Sequence, residues 1–224
     1  EGREVNSQVL YQGEDNKKFF QDMGDDLYKK GVLPDVQGKK RDFQNEFFIK
    51  LGMAIQQGGS RQEIEALIAN DKTGLDIKRV LVGNENFDHT SLLEAALIGG
   101  NFDVFKWLVE EKGLSIAEGV SGMNLKFNSG QPEANPAVVK GAKKILSYID
   151  GNTDSKTKSK INLHMVAAFY MDVDLCEKLR KDSEIDINMM GRRSVSAVSI
   201  ATSNKEAESQ QISKALLSDP RINV

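Results

Sequence analysis

The chain of 224 residues carries 30 Lys and Arg against 33 Asp and Glu, and 39% of its residues are hydrophobic. The hydrophobic fraction excludes a disordered chain, and the formal net charge of −3 gives no global field that would favour nucleic acid. Cys176 is the single cysteine, which excludes an internal disulfide and favours a reducing, cytoplasmic compartment. No apolar run approaches the roughly 20 residues of a membrane helix, so we expect no membrane insertion.

Residues 1–45 are interpreted as an N-terminal helical cap, because this region lacks the pattern that repeats further along the chain. Apolar residues at helical spacing predict one helix within 15–30, and Gly31 and Pro34 would end it. A second, continuous helix is predicted over 41–55. Such a cap would cover the open end of a stack of repeats.

The remaining region, 46–224, contains four segments with one shared pattern. Each has a short apolar helix with a small residue, a turn, a second apolar helix and a tail. The small residues, at intervals of 42, 71 and 34 positions, are Ala54, Ala96, Ala167 and Ala201. The longest interval is about twice a period of about 35 residues, which indicates a damaged repeat between the second and third segments.

The damaged repeat is predicted to keep its second helix, over 136–149, where apolar residues recur at helical spacing. Pro136 suits the first position of that helix, where its missing N–H costs nothing. The stretches 119–131 and 151–160 are polar and lack a helical period, so both are predicted to be loops. The region 117–160 is therefore interpreted as an irregular insertion in the array.

Each segment ends in a brief alternating tail, which favours an extended finger over a third helix. The four tails span 75–77, 114–116, 185–188 and 221–224.

The second and third clear segments resemble the ankyrin repeat family. The matching positions are the small pairs Ala95-Ala96 and Ala167-Ala168, the turns Gly100-Asn101 and Met171-Asp172, and the second-helix residues Val104, Leu108, Leu175 and Leu179. No Thr-Pro-Leu-His tetrapeptide is present, and Leu163-His164 keeps two of its four residues. The resemblance covers roughly 47–224 with a gap in the middle. It implies an all-α, ankyrin-like helical solenoid of about four to five degenerate repeats, with a structural hydrogen-bonding role for His164.

No group of residues predicts catalysis, a metal site or a cofactor. His89 follows Asp88 directly but has no evident nucleophile beside it, and Cys176 lies on an apolar helix face where a packing thiol is expected. The metal-binding spacings Cys-x-x-Cys and His-Glu-x-x-His are missing, as is a phosphate loop ending in Gly-Lys-Ser or Gly-Lys-Thr. We therefore expect that the chain is not an enzyme and needs no cofactor.

Two loops between repeats carry Arg and apolar side chains, whereas a simple turn would favour small polar residues. We expect these fingers to bind a partner protein, whose identity the sequence does not give. The candidate residues are Arg79, Asn86, Phe87 and His89 in one finger and Met189, Met190, Arg192 and Arg193 in the other.

The resemblance to ankyrin proteins implies a protein–protein interaction module, which would bind its partner through the concave and finger surface of the array. Eroded repeats of this kind also resemble those of effectors that intracellular bacteria deliver into host cells, which would place the chain in the host-cell cytoplasm. A second hypothesis is an accessory or substrate-recruiting domain of a larger enzyme, because the chain begins at Glu1 and we expect it to be a fragment. A third is a HEAT-like or armadillo-like solenoid, which would have no extended loops between repeats.

Overall fold

The computed structural model describes residues 36–80, 91–120, 135–191 and 195–222, with side chains from residue 43 onward. Every element in these ranges is a helix and none is a strand, so the all-α prediction is confirmed. The chain divides into two compact units, Glu1–Phe47 and Phe48–Val224. The described helices are α1 (Val36–Gln56), α2 (Arg61–Ala69), α3 (Leu92–Ile98), α4 (Phe102–Glu110), α5 (Ile116–Gly119), α6 (Pro136–Asn152), α7 (Ser155–Lys160), α8 (Leu163–Phe169), α9 (Val173–Lys181), α10 (Ala197–Ser203) and α11 (Ala207–Leu217).

Three of the turns between helices have the same hydrogen-bond pattern, at the spacing that the alanine column predicts. The carbonyl oxygens of Ala54, Ala96 and Ala167 each accept a hydrogen bond from the amide five residues further on, at 2.8–2.9 Å. The residue before that amide has a positive φ in each turn: 87° at Gly58, 63° at Gly100 and 53° at Met171. This bond closes a helix end and turns the chain into the next helix.

The turns organise the second unit into pairs of helices that stack in chain order. The pairs α3/α4, α8/α9 and α10/α11 each pack together, and α8 packs on α10. Among the second helices, α2 packs on α4, α4 on α6 and α9 on α11. The core consists of the apolar faces between these rows, where Leu93, Leu108, Ile145 and Leu179 are at most 1% exposed.

Helix α6 occupies the predicted damaged repeat, and the prediction of a helix over 136–149 is confirmed. It packs against α3 and α4 of the preceding pair and against α8 of the following pair. The Lys143 ammonium donates to the carbonyl of Met171 at 2.9 Å, and the hydroxyl of Tyr170 donates to the carbonyl of Leu97 at 3.3 Å. The helix pairs α3/α4 and α8/α9 are therefore joined both through α6 and directly.

The stretch 151–160 was predicted to be a polar loop, and this prediction is wrong. Helix α6 continues to Asn152, and 155–160 form α7. Asp154 begins α7 by accepting a hydrogen bond from the amide of Thr157 at 2.8 Å, and Lys158 forms an ion pair with Asp150 at 2.7 Å. The helix buries none of its residues, so it leaves no apolar period in the sequence. Capping and charge stabilise it instead.

The predicted extended tails are also wrong in part. The tail 114–116 leads directly into the short helix α5. The tails 75–77 and 185–188 are non-helical. In the first, the carboxylate of Asp76 accepts a hydrogen bond from the amide of Lys78. In the second, the carboxylate of Asp186 accepts one from the amide of Asn188. These are turns rather than strands. The helix predicted over 41–55 begins earlier, at Val36. The helix predicted within 15–30 and the loop over 121–131 lie outside the described residues.

A polar cluster fixes the end of the last helix pair. The carboxylate of Asp219 accepts hydrogen bonds from the guanidinium groups of Arg180 and Arg221, each at 3.1 Å. The hydrogen bonds from Arg221 hold the pKa of Asp219 well below its usual range. Arg221 also bonds to the carbonyl of Asp182 at 3.2 Å, so one side chain joins the last tail to the preceding helix pair.

His164 lies beside this cluster and does not have the hydrogen-bonding role that the family resemblance implies. Its side chain is buried, and neither ring nitrogen has a hydrogen-bond partner. Burial, together with the nearby positive charges of Arg221 and Arg180, lowers the pKa of His164 to about 4. The imidazole is therefore neutral and acts as a packing group.

We predict that Gly141→Ala destabilises the fold. Helix α6 crosses the turn after α3 so closely that a Cβ on Gly141 would clash with the carbonyl oxygen of Gly100. Overpacking of this kind costs about 1–3 kcal/mol. The control is Gly151→Ala on the same helix, where a Cβ meets nothing within 4 Å and alanine gains up to about 1 kcal/mol in helix propensity. Urea unfolding that ranks the two variants the other way would contradict this packing.

We predict that His164→Leu removes part of the acid sensitivity of the fold. Between pH 6.5 and 4 the unfolded chain binds a proton at His164 and the folded chain does not. The free energy of unfolding therefore falls by about 3 kcal/mol in total as the pH is lowered through this range. At pH 7 the variant should differ little, because leucine replaces a ring without hydrogen-bond partners. At pH 4.5 it should be more stable than the wild type by about 2–3 kcal/mol.

Urea unfolding at the two pH values measures this difference. His89 is present in both proteins, so its own titration cancels in the comparison. An equal loss of stability in wild type and variant would show that His164 is not the proton-linked group.

Candidate partner-binding groove

Three of the eight predicted finger residues fall within the described residues. Arg79 is half-buried, and its amide donates to the carbonyl of Asp76 at 3.1 Å. Met189 is half-buried, whereas Met190 is 56% exposed. No hydrogen bond in the described ranges joins Arg79 to either methionine. The predicted residues Asn86, Phe87, His89, Arg192 and Arg193 lie outside the described residues, so their role stays a prediction.

The residues that cap two of the helices, Ser91 and Asn162, each hold a backbone carbonyl that lies further along the chain. The side-chain amide of Asn162 donates to the carbonyl of Met189 at 3.3 Å, and the hydroxyl of Ser91 donates to the carbonyl of Gly119. The amide of Gly191 donates to the carbonyl of Val195 at 2.7 Å. The exposed Met190 side chain is thus presented from a fixed backbone.

The described residues form a groove of about 1040 Å³ beside the helix turns. It is lined by three stretches, namely 49–58 at the end of α1, 99–103 at the turn between α3 and α4, and 135–144 at the start of α6. We call this recess the turn groove. All three stretches belong to the second unit of the chain.

The three stretches of the turn groove are held together by backbone contacts. The side-chain amide of Asn101 donates to the carbonyls of Ile55 and Gly59 at 3.1 and 2.9 Å, which joins the first two stretches. The third stretch touches the second where Gly141 meets Gly100, and a Cβ on either glycine would strike the backbone opposite. The groove is therefore formed before any partner arrives, which lowers the entropic cost of binding.

Apolar and charged side chains occupy different parts of the turn groove. Met53 is 49% exposed, and Phe102 and Val138 are half-buried, so apolar surface remains open to a partner. Of the residues that line the groove, the charged ones are Lys140, Lys144 and Asp103. Sequence analysis missed this surface because it assigned binding to loops. The fold, and not the sequence pattern, places Lys140 and Lys144 in the same groove as the turn at Gly100.

Cys176 is buried, and burial raises the pKa of its thiol, which keeps it in the unreactive protonated form. No cluster of three or more His, Cys, Asp or Glu that could hold a metal ion occurs in the ranges that the structure describes. Among the described helices, none combines the length and the apolar character that crossing a lipid bilayer requires.

Comparison with known proteins gives no match to a protein family, to a curated protein or to a solved structure.

Proposed function

We propose that the chain is a degenerate ankyrin-type repeat module that binds another protein through its fingers and the turn groove. The observation that carries this proposal is the turn shared by three helix pairs, with one hydrogen-bond pattern centred on Ala54, Ala96 and Ala167. Identical turns at intervals of 42 and 71 residues are what a repeat array with one damaged unit requires.

The loops after the helix pairs favour an ankyrin-type array over a HEAT-like or armadillo-like solenoid. The cap residues Ser91 and Asn162 donate hydrogen bonds to carbonyls 28 and 27 residues further on, at Gly119 and Met189. A loop with a fixed base can present a side chain such as Met190 to a partner, which suits the fingers that sequence analysis predicts. The finger residues in this role remain Arg79, Asn86, Phe87, His89, Met189, Met190, Arg192 and Arg193.

The turn groove adds a second surface to this proposal. A preformed recess with exposed apolar side chains is typical of a binding site, because partner contact there removes apolar surface from water without reorganising the backbone. We also propose that the protein works in the cytoplasm, and that it is an effector acting in a host cell.

The test is affinity capture by the full chain, followed by three single substitutions with similar starting exposure. Met53 in the turn groove, Met190 at the finger base and Leu217 on α11 are 49%, 56% and 50% exposed. Each is changed to Gln, which keeps a comparable length and adds no charge. We expect Met53→Gln or Met190→Gln to lower recovery of the main partner at least fivefold, because a buried interface anchor contributes more than 1 kcal/mol.

Leu217→Gln is the matched control and should leave capture unchanged. Thermal melting of all three variants checks that the fold is intact, since changes at exposed positions typically alter stability by about 0.5 kcal/mol or less. Loss of capture with Leu217→Gln alone would place the binding surface on α11. If the wild-type chain captured no more protein than a denatured control, the proposed interaction module would be refuted.

A further inference from the structure

We propose that the turn groove recognises an acidic peptide segment of the partner, with carboxylates held by Lys140 and Lys144 and an apolar side chain against Met53. This inference rests on the proposed binding function and specifies the chemistry of the partner. Three features of the groove carry it: its cations, its open apolar surface and the start of helix α6.

The two lysines are placed to bind carboxylates. They are exposed, lie four residues apart on α6 and therefore share one face of that helix. Neither forms an ion pair within the described residues, whereas their neighbour Lys143 donates to the carbonyl of Met171. Two like charges one turn apart repel each other, and an anionic partner would relieve that repulsion.

The start of α6 adds to the positive potential of the groove. This helix has 17 residues, and its first turn, from Asn135 to Val138, lines the groove with the lysines one and two turns further along. The N-terminal end of a helix carries a partial positive charge that favours a carboxylate nearby. Among the described lining residues the opposing charge is Asp103, so the described cations outnumber the described anions.

The apolar part of the groove requires a peptide rather than a free anion. Met53, Phe102 and Val138 present partly exposed apolar surface next to the charged rim. Nucleic acid is a poorer fit, because two lysines neutralise few phosphates and the whole chain carries a net charge of −3. A peptide that combines Asp or Glu with a large apolar residue matches both parts of the lining.

The experiment selects 12-residue peptides from a random phage-displayed library on the immobilised full chain. Selection is run on the wild type, on the double variant Lys140→Glu/Lys144→Glu and on the control Lys156→Glu/Lys160→Glu. The control pair lies on α7 with the same spacing and exposure, has no ion pair in the described ranges and does not line the groove. Both double variants therefore undergo the same change in net charge.

We expect the wild type and the control to enrich peptides rich in Asp and Glu with one large apolar residue. The consensus peptide should then bind the groove variant at least tenfold more weakly than the control, as measured by isothermal titration calorimetry. Changing its acidic residues to amides should give a similar loss on the wild type. Its affinity for the wild type should fall with added salt more steeply than its affinity for the groove variant.

Several outcomes would overturn the inference. Selected peptides without an acidic bias, or equal binding of the consensus peptide to both double variants, would show that the lysines do not recognise the partner. A concentration-dependent dimer that the groove variant abolishes, seen by analytical ultracentrifugation, would make a second copy of the chain the occupant. A single-stranded oligonucleotide that binds in the same lysine-dependent way would make nucleic acid the ligand. In each case, continued capture of a partner protein by the groove variant would leave the proposed binding function standing.

Discussion

The architecture depends on one backbone hydrogen bond that recurs at the end of three first helices. The carbonyl of Ala54, Ala96 or Ala167 accepts the amide five residues later, and this forces the residue before that amide into a left-handed conformation. Because alanine has a small side chain, it leaves room at the end of each of these helices for neighbouring turns to approach closely. At these three turns the bond sets the direction of the following helix, and the turn groove lies beside the first two of them.

Helix α6 shows how the stack tolerates a broken repeat. Within the described residues, α6 packs against α3, α4 and α8. Glycine makes this possible, because Gly100 and Gly141 let two backbones touch where side chains would keep them apart. The same close approach places Lys140 and Lys144 beside the turns of earlier repeats, so the irregular part of the array supplies the charged part of the groove.

The sequence predicts those parts of the fold that leave a periodic trace. The alanine spacing indicates the turns, and the apolar period of 136–149 predicts α6, because buried side chains must recur at helical intervals. The third turn has Met171 where glycine is expected, so only spacing reveals it. Helix α7 leaves no periodic pattern in the sequence, because none of its residues is buried. Its stability depends instead on capping by Asp154 and on the ion pair of Lys158 with Asp150. The groove depends on contacts between residues about 40 positions apart, which a single sequence does not encode visibly.

The bridging position of α6 also governs how cooperatively the array unfolds. In a repeat array each unit is coupled to its immediate neighbours, so a single weak interface lets the parts on either side unfold independently. Here the break in the sequence pattern coincides with a helix that contacts both sides, and the bond from Tyr170 to Leu97 joins the flanking pairs directly. Helix α6 therefore couples the helix pairs on its two sides, so we expect the C-terminal pairs and the helices that form the groove to unfold together.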